Sequence, residues 1–109
     1  MITTRKLFLN PGDTLRVSGA AEIQATAHFI DVAPGSPSGV PNSSVLELVD
    51  AASTVLVASP TTSVVRVVGE VSLYNPTASA VSVLVMLTRG GNDYIVARHS
   101  LAAGASTFI

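Results

Sequence analysis

The sequence predicts an all-β protein: an antiparallel β-sandwich, jelly-roll-like, with about eight short strands. Three observations carry that expectation. Apolar and polar residues alternate over run after run, Gly/Pro/Asn-rich turn signals separate the runs, and nothing keeps helical periodicity for more than a turn or two.

Thr3–Leu9 reads as a short strand with Leu7 and Leu9 on one side. Asn10–Pro11–Gly12–Asp13 is a strong turn signal, because Pro presets φ and Gly admits positive φ. Thr14–Ser18 follows with Leu15 and Val17 inward, so this pair is either a hairpin or a sheet-switching corner. After a turn at Gly19–Ala21, Glu22–Val32 is a long strand. Ile23, Ala25, Ala27 and Phe29 line one face, and Glu22, Gln24, Thr26 and His28 the other.

Residues 33–43 change character. Pro34, Gly35, Pro37, Gly39 and Pro41, with Ser and Asn between them, exclude helix or central strand. The expectation is a long loop, either a crossover between sheets or an arm reaching a neighbour. Val45–Val49 and Thr54–Ala58 are further apolar runs joined by Asp50–Ser53, and Ser59–Ser63 turns the chain again.

The stretch Val64–Leu101 reads as a three-strand antiparallel meander: Val64–Tyr74, Val81–Thr88 and Asp93–Leu101. In its first strand Val65, Val67, Val71 and Leu73 are expected inward, with Val64, Arg66, Val68 and Glu70 outward. Gly69 interrupts the row and suggests a bulge or a close backbone approach. In the second strand Val81, Val83, Val85 and Leu87 point inward, and Leu84 and Met86 outward. A two-residue Gly90–Gly91 loop pairs Leu87 with Tyr94 but sets Arg98 opposite Val83. A three-residue loop pairs Leu87 with Ile95, Val85 with Ala97 and Val81 with Leu101, sets Arg89 opposite Asp93, and is preferred because it keeps Arg98 off the inner row. Ala102–Ala105 turns into a terminal strand, Ser106–Ile109.

At 109 residues the chain is expected to be one sandwich domain, residues 1–109, able to bury roughly two-thirds of its unfolded surface. The absence of cysteine excludes disulfides and thiolate metal sites. Met1–Phe8 carries Arg5 and Lys6 with no apolar run behind them, so no signal peptide is expected, and no segment approaches the ~20 apolar residues of a membrane helix. A net charge of −1 without a basic patch argues against nucleic acid. Charged residues are only 12% against a usual ~25%, so part of the surface is expected to lie against other subunits.

Motifs for chemistry are missing. His28 and His99 are far apart, and neither has a second ligand at metal-binding spacing. No Ser stands in a nucleophile-elbow context, and Gly90–Gly91 precedes no helix that would cradle phosphate. The expectation is therefore no enzyme, with no catalytic, cofactor-binding or metal-binding residues.

Two stretches carry a resemblance. LFLNPGDTLRVSGAAEIQATAHFIDV, with Gly12, Asp13, Thr14, Leu15 and its closing Phe29 and Asp31, resembles the first part of small β-sandwich virion proteins of tailed bacteriophages. The segment from Val55 to Ser106 resembles their second part, through Ala58, Pro60, the LYNPTASAVSV turn at Leu73–Val83 and the LAAG turn at Leu101–Gly104. The resemblance implies a structural protein located in the virion, as capsid decoration (cement) or as a tail, baseplate or fibre module. A carbohydrate-binding module is a lesser alternative, because Tyr74, Tyr94 and three Phe are few aromatic faces for stacking on sugars. Cement proteins bridge neighbouring capsid subunits, so the implied partners are other virion proteins, the major capsid protein first, and not nucleic acid or membrane. A homo-oligomer is expected, with a trimer favoured by the resemblance. Candidate interface residues are the outward Leu84, Met86 and Val96 and the loop prolines Pro34, Pro37 and Pro41.

Overall fold

Among the described residues nine strands build two antiparallel sheets that pack face to face. The structure is a computed structural model and describes residues 7–19, 22–33, 35, 40–47 and 53–108. The strands are β1 (Leu7–Leu9), β2 (Thr14–Ser18), β3 (Gln24–Val32), β4 (Val40–Glu47), β5 (Thr54–Val57), β6 (Val65–Tyr74), β7 (Val81–Arg89), β8 (Asn92–Leu101) and β9 (Ser106–Phe108). One sheet runs β1-β6-β3-β4, with β9 also paired to β6, and the other runs β5-β2-β7-β8. The expected all-β sandwich is what forms, with one strand more than the sequence suggested.

The core lies between the two inner faces. Ile23, Ala25, Ala27, Phe29, Val68, Val71 and Leu73 meet Leu15, Val17, Leu56, Val57, Val83 and Val85, all of them buried. Small β-branched and Ala side chains allow two sheets to approach at the usual ~10 Å. Leu9 and Leu101 close the cluster, and Arg66 covers one end of it. Its guanidinium carbon lies 4.5 Å from the Phe29 ring centroid. The same group donates to the Asp31 carboxylate at 2.7 and 3.0 Å and to the Ala58 carbonyl at 2.9 Å.

The three strands expected as a meander are divided between the sheets. β6 lies in the first sheet, while β7 and β8 form a hairpin in the second. Alternation reports that a strand has one buried side, and two strands facing each other across a core satisfy it as well as two neighbours do. The crossing is held by Asn75, which is fully buried. Its Nδ2 donates to the carbonyls of Ser79 at 2.8 Å and of Leu101 and Ala102 at 3.2 Å, and its Oδ1 accepts from the Thr77 amide at 3.0 Å. The chain crosses in the same way at Asn10–Asp13, since β1 and β2 belong to different sheets. Of the two alternatives for that turn, the sheet-switching corner is correct.

Two further expectations need correction. Residues 33–43 are not wholly loop, because β4 begins at Val40 and pairs with β3 from Gln24↔Glu47 to Asp31↔Val40. The segment joins two neighbouring strands of one sheet, so it is the connection of a hairpin and not a crossover between sheets. Pro41, opposite Ile30, is tolerated because β4 is an edge strand whose outer side needs no ladder donor. The run expected at Val45–Val49 belongs to β4 as far as Glu47, and residues 48–52 lie outside the described residues.

Bulges account for the remaining differences. Gly69 is the extra residue of β6, with Glu70 opposite His28 and Val68 opposite Phe29. The bulge reverses the parity of the strand, so Val71 and Leu73 point inward as expected, but on its far side Val68 is the buried residue. Val65 and Val67 consequently face outward beside Val32 and Ile30. In the β7–β8 hairpin both weighed registers occur in one ladder. Val81↔Leu101 and Val85↔Ala97 follow the preferred register, whereas Leu87↔Tyr94 and Arg89↔Asn92 follow the two-residue loop. Gly90 and Gly91 have φ of 61° and 80°, the pair of left-handed residues that a type I′ turn requires. Val96 is the extra residue that reconciles the two.

Candidate functional site

The histidines are not brought together with acids into a ligand set. His28 is exposed on the outer face of the first sheet, and His99 is half-buried opposite Val83 on the second. Among the described residues no group of three His, Asp or Glu side chains is placed to hold a metal ion. No helix there is long and apolar enough to cross a membrane.

The perturbed ionisable pair belongs to the fold. Asp13 is buried at the β1–β2 corner, and one of its carboxylate oxygens accepts from Arg89 Nε at 3.0 Å, Arg89 Nη2 at 2.8 Å and the Asn10 amide at 2.9 Å. The hydrogen bonds from Arg89 hold the Asp13 carboxyl below its ordinary range against the opposing effect of burial, and they raise the guanidinium in turn. This ion pair ties the corner to the end of β7.

What the surface offers is two broad outer faces. On the second sheet, cross-strand pairing sets Val55, Arg16, Met86 and Ile95 in one row and Ser18, Leu84 and Arg98 in the next. Leu84 and Met86 are half-buried among these neighbours, and Ile95 is exposed. Both belong to the outer face, as expected, since Val83 and Val85 fill the inner one. Val96 does not join them: as the bulge residue it turns to the core side and packs against the buried cluster together with Ala97. Pro34 and Pro37 lie outside the described residues, and Pro41 sits in edge strand β4.

The outer face of the first sheet was not singled out by the sequence, yet it carries more exposed apolar surface. Phe8, Val67 and Ile30 stand in one cross-strand row, and Val65 and Val32 are paired beside it. Phe8 is 56% exposed and Ile30 43%. Beyond the His28↔Glu70 pair the same face turns polar, with Thr26↔Ser72 and Gln24↔Tyr74, and Phe108 lies at its margin opposite Ser72. The signal was present in Gly69: a one-residue bulge there reverses the parity of everything N-terminal to it.

Fold and surface together define a β-sandwich module with two outer faces, each mixing apolar and polar or charged residues. No protein-family model, no curated protein and no solved structure matches the chain.

Proposed function

We propose that this chain is a structural protein of a bacteriophage virion. It acts as a capsid decoration (cement) protein that bridges neighbouring capsid subunits as a homo-oligomer, without catalysis and without a cofactor. The observation that supports this reading is the outer face of the second sheet, where Leu84 and Met86 lie between Arg16 and Arg98. A side of a charge-poor sandwich that is both apolar and cationic suits a protein partner supplying apolar side chains and carboxylates. The Gly12–Leu15 and Leu73–Val83 resemblances point to virion proteins as the setting.

Quantitative mass spectrometry of purified particles tests the reading. Hundreds of copies per particle are expected. A few to a few dozen copies would move the protein to the tail, baseplate or fibre, and its absence from particles would overturn the proposal.

A further inference from the structure

The outer face of the first sheet has a property that a generic sticky patch lacks: its two central columns are complementary to each other. Along β3 the outward residues are Gln24, Thr26, His28, Ile30 and Val32. Along β6 their cross-strand neighbours are Tyr74, Ser72, Glu70, Val67 and Val65. Polar stands beside polar, aliphatic beside aliphatic, and at the middle a histidine stands beside a glutamate. His28 and Glu70 are both exposed, and no hydrogen bond or ion pair joins them within the described residues.

We propose that this face is a two-fold contact between two copies of the chain, with His28 of each copy over Glu70 of the other and Ile30 over Val67. A two-fold axis parallel to the strands, midway between β3 and β6, exchanges the two columns and produces this superposition. An axis across the strands would instead lay His28 on His28, Glu70 on Glu70, and the aliphatic end on the polar end. An imidazole donor over a carboxylate acceptor, with aliphatic over aliphatic and polar over polar, therefore selects both the occupant, a second copy, and the orientation. Aligned packing of two sheets, rotated by about 30° through their twist, is the ordinary geometry for such a contact. Four strand positions at about 4.8 Å and a ten-residue strand at about 3.3 Å per residue give a face of about 600 Å² before side-chain relief. That approaches the ~800 Å² per partner of a specific interface. The opposite face, with Arg16 and Arg98 against Asp93 alone, has no such internal match.

The contact stands independently of the virion reading and replaces the trimer that the resemblance implies with a dimer. Light scattering and sedimentation equilibrium on the full chain should give a dimer mass across a micromolar concentration series. His28→Glu sets carboxylate against carboxylate and should weaken self-association by about a hundredfold or more, whereas Glu70→Lys removes the acceptor that faces the imidazole and should weaken it less. Mixed together, the two variants should form a heterodimer, because the carboxylate introduced in one then faces the ammonium introduced in the other. Leu84→Glu, on the opposite sheet, should leave the dimer mass unchanged. Both charge variants are at exposed positions, and circular dichroism melts check that they fold. A monomeric or trimeric wild type, a dimer indifferent to His28→Glu, or a mixture that forms no heterodimer would each overturn the proposal. Absence from particles would overturn the virion reading and leave this one standing.

Discussion

The carboxamide of Asn75 donates to the main-chain carbonyl of Leu101 at 3.2 Å, joining the β6–β7 crossing to the turn before β9. The same crossing is locked from the backbone side, where the Asn75 amide donates to Ala105 at 2.9 Å and Gly104 donates to the Asn75 carbonyl at 2.8 Å. A single buried amide thus serves two turns that are distant in sequence.

Asn75→Ala should therefore cost about 2–4 kcal/mol, since it leaves carbonyls at the crossing without a donor inside the fold. Asn75→Asp should cost more, because an acceptor would then face the Ser79, Leu101 and Ala102 carbonyls. Urea denaturation of the three proteins gives the order directly. Equal stability of the Asp and wild-type chains would contradict this account of the crossing.

Asp13 gives the fold an acid sensitivity of known sign. Its carboxyl is held low in the folded state, chiefly by the Arg89 hydrogen bonds. A group whose folded pKa is depressed contributes stability above its unfolded value, near 3.9, and that contribution is lost as pH falls through the folded value. Thermal melts should show the wild type losing more stability between about pH 5 and pH 2 than Asp13→Asn does. Parallel pH profiles for the two proteins would remove the pair from the account.

Gly69 separates two kinds of change. A Cβ built there comes no nearer than 4.0 Å to the His28 carbonyl oxygen, and the residue needs no left-handed backbone, so Gly69→Ala should alter stability by less than about 1 kcal/mol. Deleting Gly69 should cost more than about 4 kcal/mol, because it would turn Val68 and Arg66 outward and drive Val65 and Val67 toward the core. Chemical denaturation distinguishes the two outcomes, and a well-folded deletion would show the bulge to be dispensable.

Neighbouring positions on β7 should respond in opposite ways. Val85→Ala removes volume from a fully buried site and should cost about 2–3 kcal/mol. Leu84→Glu, on the outer face, should leave the fold within about 1 kcal/mol of wild type and, under the virion role proposed above, abolish attachment to particles. Thermal melts paired with a particle-binding assay read both properties. A Leu84→Glu chain that unfolds would mean that this face is core.

Much of the sandwich was legible because its signals are local. Leu15 and Val17, and Ile23 through Phe29, alternate as a half-buried strand must, and Asn10–Gly12 announces a turn wherever it leads. What alternation does not encode is which sheet a strand joins, so β6 and β7 read as neighbours when they face each other across the core. Val68 and Val96 depart from simple alternation for a related reason. A bulge adds one residue to a period of two, and its effect accumulates over the rest of the strand. β4 was hidden by Pro41, a residue that forbids a central strand but is accepted at an edge. The Leu84–Met86 surface was legible as outward residues of a clear strand, whereas the Ile30–Val67 surface exists only because Gly69 shifts the register.

β1 and β9 lie end to end along one edge of β6, the first covering Arg66–Val68 and the second Ser72–Tyr74. β2, likewise, finds its place only between β5 and β7. Apart from the β3–β4 and β7–β8 hairpins, the ladders join strands that are far apart along the chain. Loop closure must then be supplied before most pairing can reward it, which places this fold among slow folders, with times on the order of milliseconds to seconds. Until β1 and β9 arrive, the edge of β6 is an open template for other chains. The interval between synthesis and edge closure is when this protein is most exposed to aggregation, and a chaperone or a second copy would have most effect there.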